Sequence, residues 1–180
     1  DGVLGGPFKR HRAPEGFGGN RIQAAQIGLQ QPIVGRQHAL ASRLDGALIG
    51  VDLSMKMVEQ AARHNVYDRF HTVNLHDALR ETPDGLYQVI AALDVFIYAG
   101  DLTEAVPNAY RVLAADGVLI FSCETASEAG PDLVLLPAGR YAHKRSHIEA
   151  LCKAAGFDSV DVEETVLRHE NTERPGSSPL

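Results

Sequence analysis

The run Ala47-Leu48-Ile49-Gly50-Val51-Asp52-Leu53-Ser54 constrains this chain more than any other segment. An uncharged apolar stretch ends abruptly in a carboxylate, and a small hydroxyl residue follows. A solid apolar run of this length is a strand buried on both faces, because a strand with one wet face would alternate. The residues beyond it have a helical period. A helix is expected from a Ser54 cap to about His64, with Met55, Val58, Ala61 and Ala62 facing inward. A buried strand that hands over to a helix through an acid belongs at the ligand edge of an open parallel sheet. An acid placed there can take both hydroxyls of a ribose.

The same grammar continues to the C-terminal side. Residues 70–73 read as a short strand, and residues 87–93 as a continuous apolar strand closed by Asp94. Residues 102–113 read as a helix, with Asp101 and Glu104 at its first turn and Arg111 near its end, which suits the helix dipole. Ala115-Asp116-Gly117 turns the chain into a buried strand over 118–122. Residues 145–155 form a helix stopped by Gly156, and residues 157–166 a long, partly alternating strand. On the N-terminal side, residues 22–27 make a weak strand and residues 34–44 a helix. Solid strands alternating with helices imply an α/β fold: a Rossmann-like, doubly wound, mostly parallel sheet with helices on both faces. Residues 1–21 are rich in Gly, Arg and Pro and read as a poorly ordered arm, residues 22–170 as the domain, and residues 171–180 as a flexible tail.

Composition narrows the classes of function. The 180 residues suffice for one domain with a substantial core. A net charge of -6 without a basic stripe argues against a nucleic-acid or anionic-membrane binder, which needs a surplus of Lys and Arg to neutralise phosphates. Two cysteines, Cys123 and Cys152, fit a reduced, cytoplasmic protein better than a disulfide framework. No signal peptide or long apolar run is visible, and a chain that starts at Asp1 reads as a fragment or a processed form. His143 and His147 have a spacing that zinc could use on one helical face. No third ligand stands at a suitable offset, so no metal is expected.

Gly50-Val51-Asp52-Leu53-Ser54 followed by Met57, the strand ending Leu93-Asp94-Val95, and the turn Ala114-Ala115-Asp116-Gly117-Val118 stand in one order over residues 44–170. In that order they resemble class I S-adenosylmethionine-dependent methyltransferases. Gly139-Arg140-Tyr141-Ala142-His143 and Ala155-Gly156-Phe157 resemble a bacterial subgroup of predicted TPR-associated methyltransferases. The resemblance implies methyl transfer from S-adenosylmethionine to a small-molecule or protein acceptor. It implies that Asp52 holds the ribose hydroxyls, that Leu53 and Met57 line the adenine or ribose side, and that Asn74 and Leu75 sit by the adenine ring. Gly28 would begin the glycine loop. Asp94 and Val95 would border the methionine part, with Tyr98, Arg140, Tyr141 and His143 on the substrate side. No catalytic base is assigned, although His143 or Tyr141 could serve.

Two departures stand beside the resemblance. Gln26-Ile27-Gly28-Leu29-Gln30-Gln31-Pro32-Ile33-Val34-Gly35-Arg36 occupies the place of the family's glycine loop, but Gln30 and Pro32 replace two glycines and Gln26 replaces an acid. A glycine there lets the backbone turn tightly and approach the ligand; Gln intrudes, and Pro fixes φ and removes a donor. The family's last antiparallel strand should follow Leu167-Arg168-His169-Glu170, where this chain runs into Pro, Gly and Ser. The expected sheet is therefore either complete or short of that strand, with an exposed edge. Three readings follow: an active methyltransferase, an inactive methyltransferase-like binding domain, or a truncated or mis-framed fragment. A dinucleotide-dependent dehydrogenase is disfavoured, because Gly28-Leu29-Gln30-Gln31-Pro32-Ile33 does not supply the fingerprint G-x-G-x-x-G.

Overall fold

A computed structural model describes residues 3–9, 24–27 and 46–165. Their elements, in chain order, are β1 (Val3–Lys9), β2 (Ala24–Ile27), β3 (Leu48–Val51), α1 (Met55–Ala62), β4 (Arg69–His71), α2 (Leu75–Glu81), β5 (Tyr87–Ala92), α3 (Phe96–Ala99), α4 (Ala105–Val112), β6 (Leu113–Thr125), β7 (Leu133–Leu135), β8 (Tyr141–His143), α5 (Arg145–Ala155), β9 (Ser159–Val160) and β10 (Glu163–Thr165). The strands join in one sheet of order β10-β1-β6-β5-β2-β3-β4, with β8 beside β6, β7 beside β8, and β9 beside β1.

The apolar runs become the parallel centre of this sheet. Neighbours β2 and β3, β3 and β4, β2 and β5, and β5 and β6 all run parallel. All four residues of β3 are buried, as a strand covered on both faces requires. From β2 the chain winds outward through β3 to β4, then returns to add β5 and β6 on the other side. The β2–β5 boundary is thus the switch point at which an open α/β sheet leaves a crevice for ligands. The main core gathers Ile90, Ala92, Leu102, Val106, Leu113 and Leu119 at full burial, and Phe96 packs on Phe121 with ring centroids 4.7 Å apart. A smaller cluster holds Val58 and Ala61 of α1 with Met57, Tyr67 and Phe70.

Several expectations need correction. Met55 and Ala62 are exposed, so α1 buries a narrower stripe than its period implied. Ser54 stands at the N-cap of α1, but its side chain makes no capping bond. The long strand over 157–166 is two short strands, β9 and β10, separated by Asp161 and Val162. The turn at Asp116 is an outward bulge within β6: between the pairs Tyr87↔Leu113 and Val89↔Val118, β6 uses three more residues than β5, with Asp116 at φ 60°.

The largest correction concerns the N-terminal arm. Residues 3–9 are not irregular; they form β1, antiparallel to β6 from Val3↔Glu124 to Lys9↔Val118. The far side of β1 receives β10 and β9, also antiparallel. An N-terminal strand thus occupies the antiparallel place beside β6 that the C-terminal segment was expected to leave open. The expected helix over 34–44, the glycine-loop positions Gly28, Gln30 and Pro32, the rest of the arm and the tail lie outside the described residues.

Candidate functional site

The parallel strands end at the same edge, where the chain leaves β3 through Asp52, β4 toward Asn74 and β5 toward Asp94. At the end of β3, Asp52 donates its N–H to His71 O at 3.1 Å, and its Oδ1 accepts the Ser54 N–H at 2.7 Å. This Asx turn swings the chain toward α1. Two apolar side chains follow in open positions, Leu53 at 71 % exposure and Met55 at 57 %. Met57, expected to line the adenine side, is half-buried in the smaller cluster with Tyr67 and Phe70. The methionine presented at the edge is Met55, whose sulfur lies 4.0 Å from the Thr72 hydroxyl.

At the end of β4, Asn74 is the N-cap of α2. Its side-chain oxygen accepts the Asp77 N–H at 2.8 Å, and its amide donates to the Asp77 carboxylate. Those bonds engage the side chain expected to contact adenine, while Leu75 beside it is half-buried. The spacing Asn74-Leu75-His76-Asp77 is a helix-start signal that a reading directed at the ligand passed over.

At the end of β5, Asp94 takes the left-handed conformation at φ 57°, which Asp tolerates better than most residues. Its N–H donates to the buried Ser122 Oγ at 2.9 Å and ties β5 to β6. Val95 and α3 follow, with Leu93 and Tyr98 exposed above the edge. Asp94 and Asp52 belong to strands separated only by β2, two strand spacings or about 10 Å apart.

β6 continues past the end of β5, whose last pair is Ala92↔Phe121. On the extension, Glu124 pairs with Ala142 and Thr125 with His143 of β8. β1 pairs with both halves of β6 and so lies on the opposite side. β8 therefore occupies the lateral place of β5 just beyond its end, and Tyr141 starts that strand with Arg140 just before it. Of the residues expected on the substrate side, Tyr141 and His143 lie on β8 and Arg140 just before it, with successive side chains on opposite faces of the strand. Arg140 forms an ion pair with Glu124, both mostly buried. A Cβ at Gly100, whose φ is 66°, would lie 3.3 Å from the Tyr141 ring, so the ring needs this glycine. Burial pushes the His143 imidazole down to about 4; nearby His147 adds to this and Asp101 opposes it. Asp101 is itself held below the ordinary carboxylate value, chiefly by the Thr103 N–H, which donates to its Oδ1 at 2.8 Å. Ser122, Glu124, Thr125 and Asp101 were not among the residues expected at this edge; Ser122 closes the apolar run 118–121 but reads only as the end of a strand. Among the described residues no group of three or more His, Cys, Asp or Glu is placed to hold a metal ion.

A protein family described as "Methyltransferase domain" matches residues 33–121. No curated protein matches the chain. Among solved structures, it is similar to the (4+2)-cyclase SpnF, at 20 % identity and a TM-score of 0.61 over 75 % of this chain and 50 % of that one. It is similar to a Haemonchus contortus phosphoethanolamine N-methyltransferase 2 in complex with phosphomonomethylethanolamine and S-adenosylhomocysteine, at 19 % identity and a TM-score of 0.62 over 81 % and 36 %. It is also similar to an S-adenosylmethionine-dependent methyltransferase from Mesorhizobium loti, at 17 % identity and a TM-score of 0.59 over 79 % and 77 %. The chain thus spans half or less of the length of the first two. No helix among the described residues is long and apolar enough to cross a membrane. A parallel sheet wound from β2 in both directions, an acid at the end of β3 and these neighbours together identify the fold as that of class I methyltransferases.

Proposed function

We propose that the chain transfers a methyl group from S-adenosylmethionine to a small-molecule or protein acceptor at the carboxyl edge of the sheet. The observation that carries this is the convergence at the switch point: a partly exposed carboxylate, Asp52, flanked by the open apolar side chains of Leu53 and Met55, with Asp94 two strands away. An isolated exposed Leu or Met means little. Exposed apolar groups beside an acid at a strand end match what an adenosine needs, a flat apolar contact and an acceptor for two hydroxyls. The match to a methyltransferase domain over 33–121 supports the same reading.

The residues fit the cofactor as follows. Asp52 accepts the ribose hydroxyls, Leu53 and Met55 flank the base, Leu75 lies toward the adenine, and Asp94 and Val95 border the methionine end. Tyr98, Arg140, Tyr141 and His143 form the acceptor wall. When bound, S-adenosylmethionine supplies an electrophilic methyl and its own leaving group. The protein contributes orientation and the exclusion of water, which in such transfers is most of the gain. Two buried, unpaired cysteines are in keeping with a reducing, cytoplasmic setting. The Gly139–His143 string keeps the TPR-associated subgroup as the finer assignment.

Gln30 and Pro32 favour a second reading, a methyltransferase-like domain that no longer holds the cofactor. SpnF is a cyclase, and it shows that this fold hosts other chemistry. Calorimetric titration of the folded chain with S-adenosylmethionine and S-adenosylhomocysteine separates the two. Micromolar binding supports the enzyme; no binding by folded protein leaves the binding-domain reading.

A further inference from the structure

Five large apolar side chains are exposed among the described residues, and all five stand on the carboxyl side of the parallel strands. Leu53 and Met55 follow β3, and Leu93 and Tyr98 follow β5. Leu135 is the register partner of Tyr141, which starts β8 beside the part of β6 that outruns β5. Single exposed apolar groups scattered over a surface are ordinary; a set gathered at one edge marks a contact site. Leu53 and Met55 flank the proposed adenosine position. Leu93, Tyr98 and Leu135 lie toward β5 and β8 and are 41 %, 52 % and 60 % exposed, so a ligand reaches them without any rearrangement.

These three groups form one rim with Tyr141. Gly100 follows α3, the helix that carries Tyr98, and a Cβ there would lie 3.3 Å from the Tyr141 ring. Tyr141 and Leu135, as antiparallel partners, hold their Cβ atoms about 5 Å apart on one face. The rim spans a few strand spacings, roughly 10–15 Å. That is the size of a bicyclic or short-chain molecule, whereas a stable protein contact covers about 800 Å² on each partner. Its charge is one-sided. Residues 93–104 carry Asp94, Asp101 and Glu104 and no cation. The Lys and Arg residues of 125–150 are each paired with a carboxylate: Arg140 with Glu124, Lys144 with Asp132 and Arg145 with Glu149. A phosphate, sulfonate or carboxylate brought to this rim would meet acids, with the cations of both segments already engaged.

Resting on the methyl-transfer reading of this edge, we infer that the methyl acceptor is a largely apolar small molecule without an anionic group, whose body lies on Leu93, Tyr98, Tyr141 and Leu135. Covering these side chains removes apolar surface from water, and that supplies the attraction. The acids turn anionic analogues away, and that supplies the selectivity. Leu93 precedes Asp94, the residue proposed to border the methionine end of the cofactor, so the body lies beside the methyl that is transferred.

The test uses two fluorescent probes of one skeleton, N-phenylnaphthylamine and anilinonaphthalene sulfonate, which differ by the anionic group. Each is titrated into the folded chain saturated with S-adenosylhomocysteine, whose own binding is followed by calorimetry. N-phenylnaphthylamine is expected to bind at micromolar concentration, and the sulfonate about tenfold more weakly or worse. Tyr98→Ser and Leu93→Ser should each weaken N-phenylnaphthylamine about five- to tenfold, and Tyr98→Phe should match wild type. S-adenosylhomocysteine affinity should stay within about twofold in all three. Both positions are open to solvent, so the variants fold. No binding of N-phenylnaphthylamine, equal binding of the sulfonate, or unchanged affinity in both serine variants would overturn the inference. So would a dimer that the serine variants dissociate in size-exclusion chromatography, which makes the rim a contact between copies. Wild-type sedimentation with phosphatidylcholine vesicles that the same variants abolish would overturn it too. Failure of the folded wild type to bind S-adenosylhomocysteine would instead overturn the cofactor reading beneath it.

Discussion

Asp52 does two things with one carboxylate. Its Oδ1 holds the Ser54 N–H and shapes the exit from β3, and in the proposed complex the group also receives the ribose hydroxyls. Asp52→Asn retains an acceptor for Ser54 but loses the charge and one acceptor oxygen. S-adenosylhomocysteine binding should weaken about 10–100-fold by calorimetry, with little change in thermal midpoint. His143 makes a prediction of the opposite kind, on stability. Its folded value of about 4 lies below the ordinary 6.5, so between those values the unfolded chain binds a proton that the folded chain refuses. The stability contributed by the neutral ring is complete above pH 6.5 and is lost as pH falls toward 4. The urea midpoint should therefore drop between pH 7.5 and 5, and drop less in His143→Gln. Asp52 and Asp94 were legible in the sequence because each ends an apolar run, which is local information. Asn74 was legible as a site residue only by analogy, and the structure gives its side chain to Asp77.

The helices of eight residues or more carried their own signal. The 145–155 helix and its stop were legible to the residue: Gly156 takes φ 106° and closes α5 with its N–H on Lys153 O. A Cβ there would lie 2.9 Å from the Tyr110 ring, which packs edge-on against Phe157. Gly156→Ala should cost about 1–3 kcal/mol in chemical unfolding, from left-handed strain plus displacement of that ring. β7, β8 and α3, with three or four residues each, were not read from the sequence. The end of α2 depends on a residue far away in sequence. Arg111 of α4 donates to Leu79 O at 2.7 Å and Thr82 O at 3.0 Å and pairs with Asp84. Lysine cannot span that fork, so Arg111→Lys should lower stability by about 1–3 kcal/mol, with α2 amides exchanging faster.

For the whole molecule, the decisive contact is β1 between β6 and the β9–β10 pair. Removing residues 1–9 would bare the edge of β6 along 118–124 and that of β9 and β10, and bared edges invite pairing between chains. Losing a handful of ladder bonds at about 0.5–1.5 kcal/mol each should cost of order 3 kcal/mol, roughly 6–12 °C in thermal midpoint. Size-exclusion chromatography should show higher-order species; a monomer of unchanged midpoint would mean β1 contributes nothing. The sequence by itself determined the layered α/β class, the parallel centre of the sheet and the acids that follow β3 and β5, because burial pattern and helix period are written in consecutive residues. Only the tertiary structure decided that an N-terminal segment of Gly-Gly-Pro character completes the sheet and that Thr125 meets His143 across two strands. Strand pairing and register join segments distant along the chain, and no local pattern encodes which partner closes which edge.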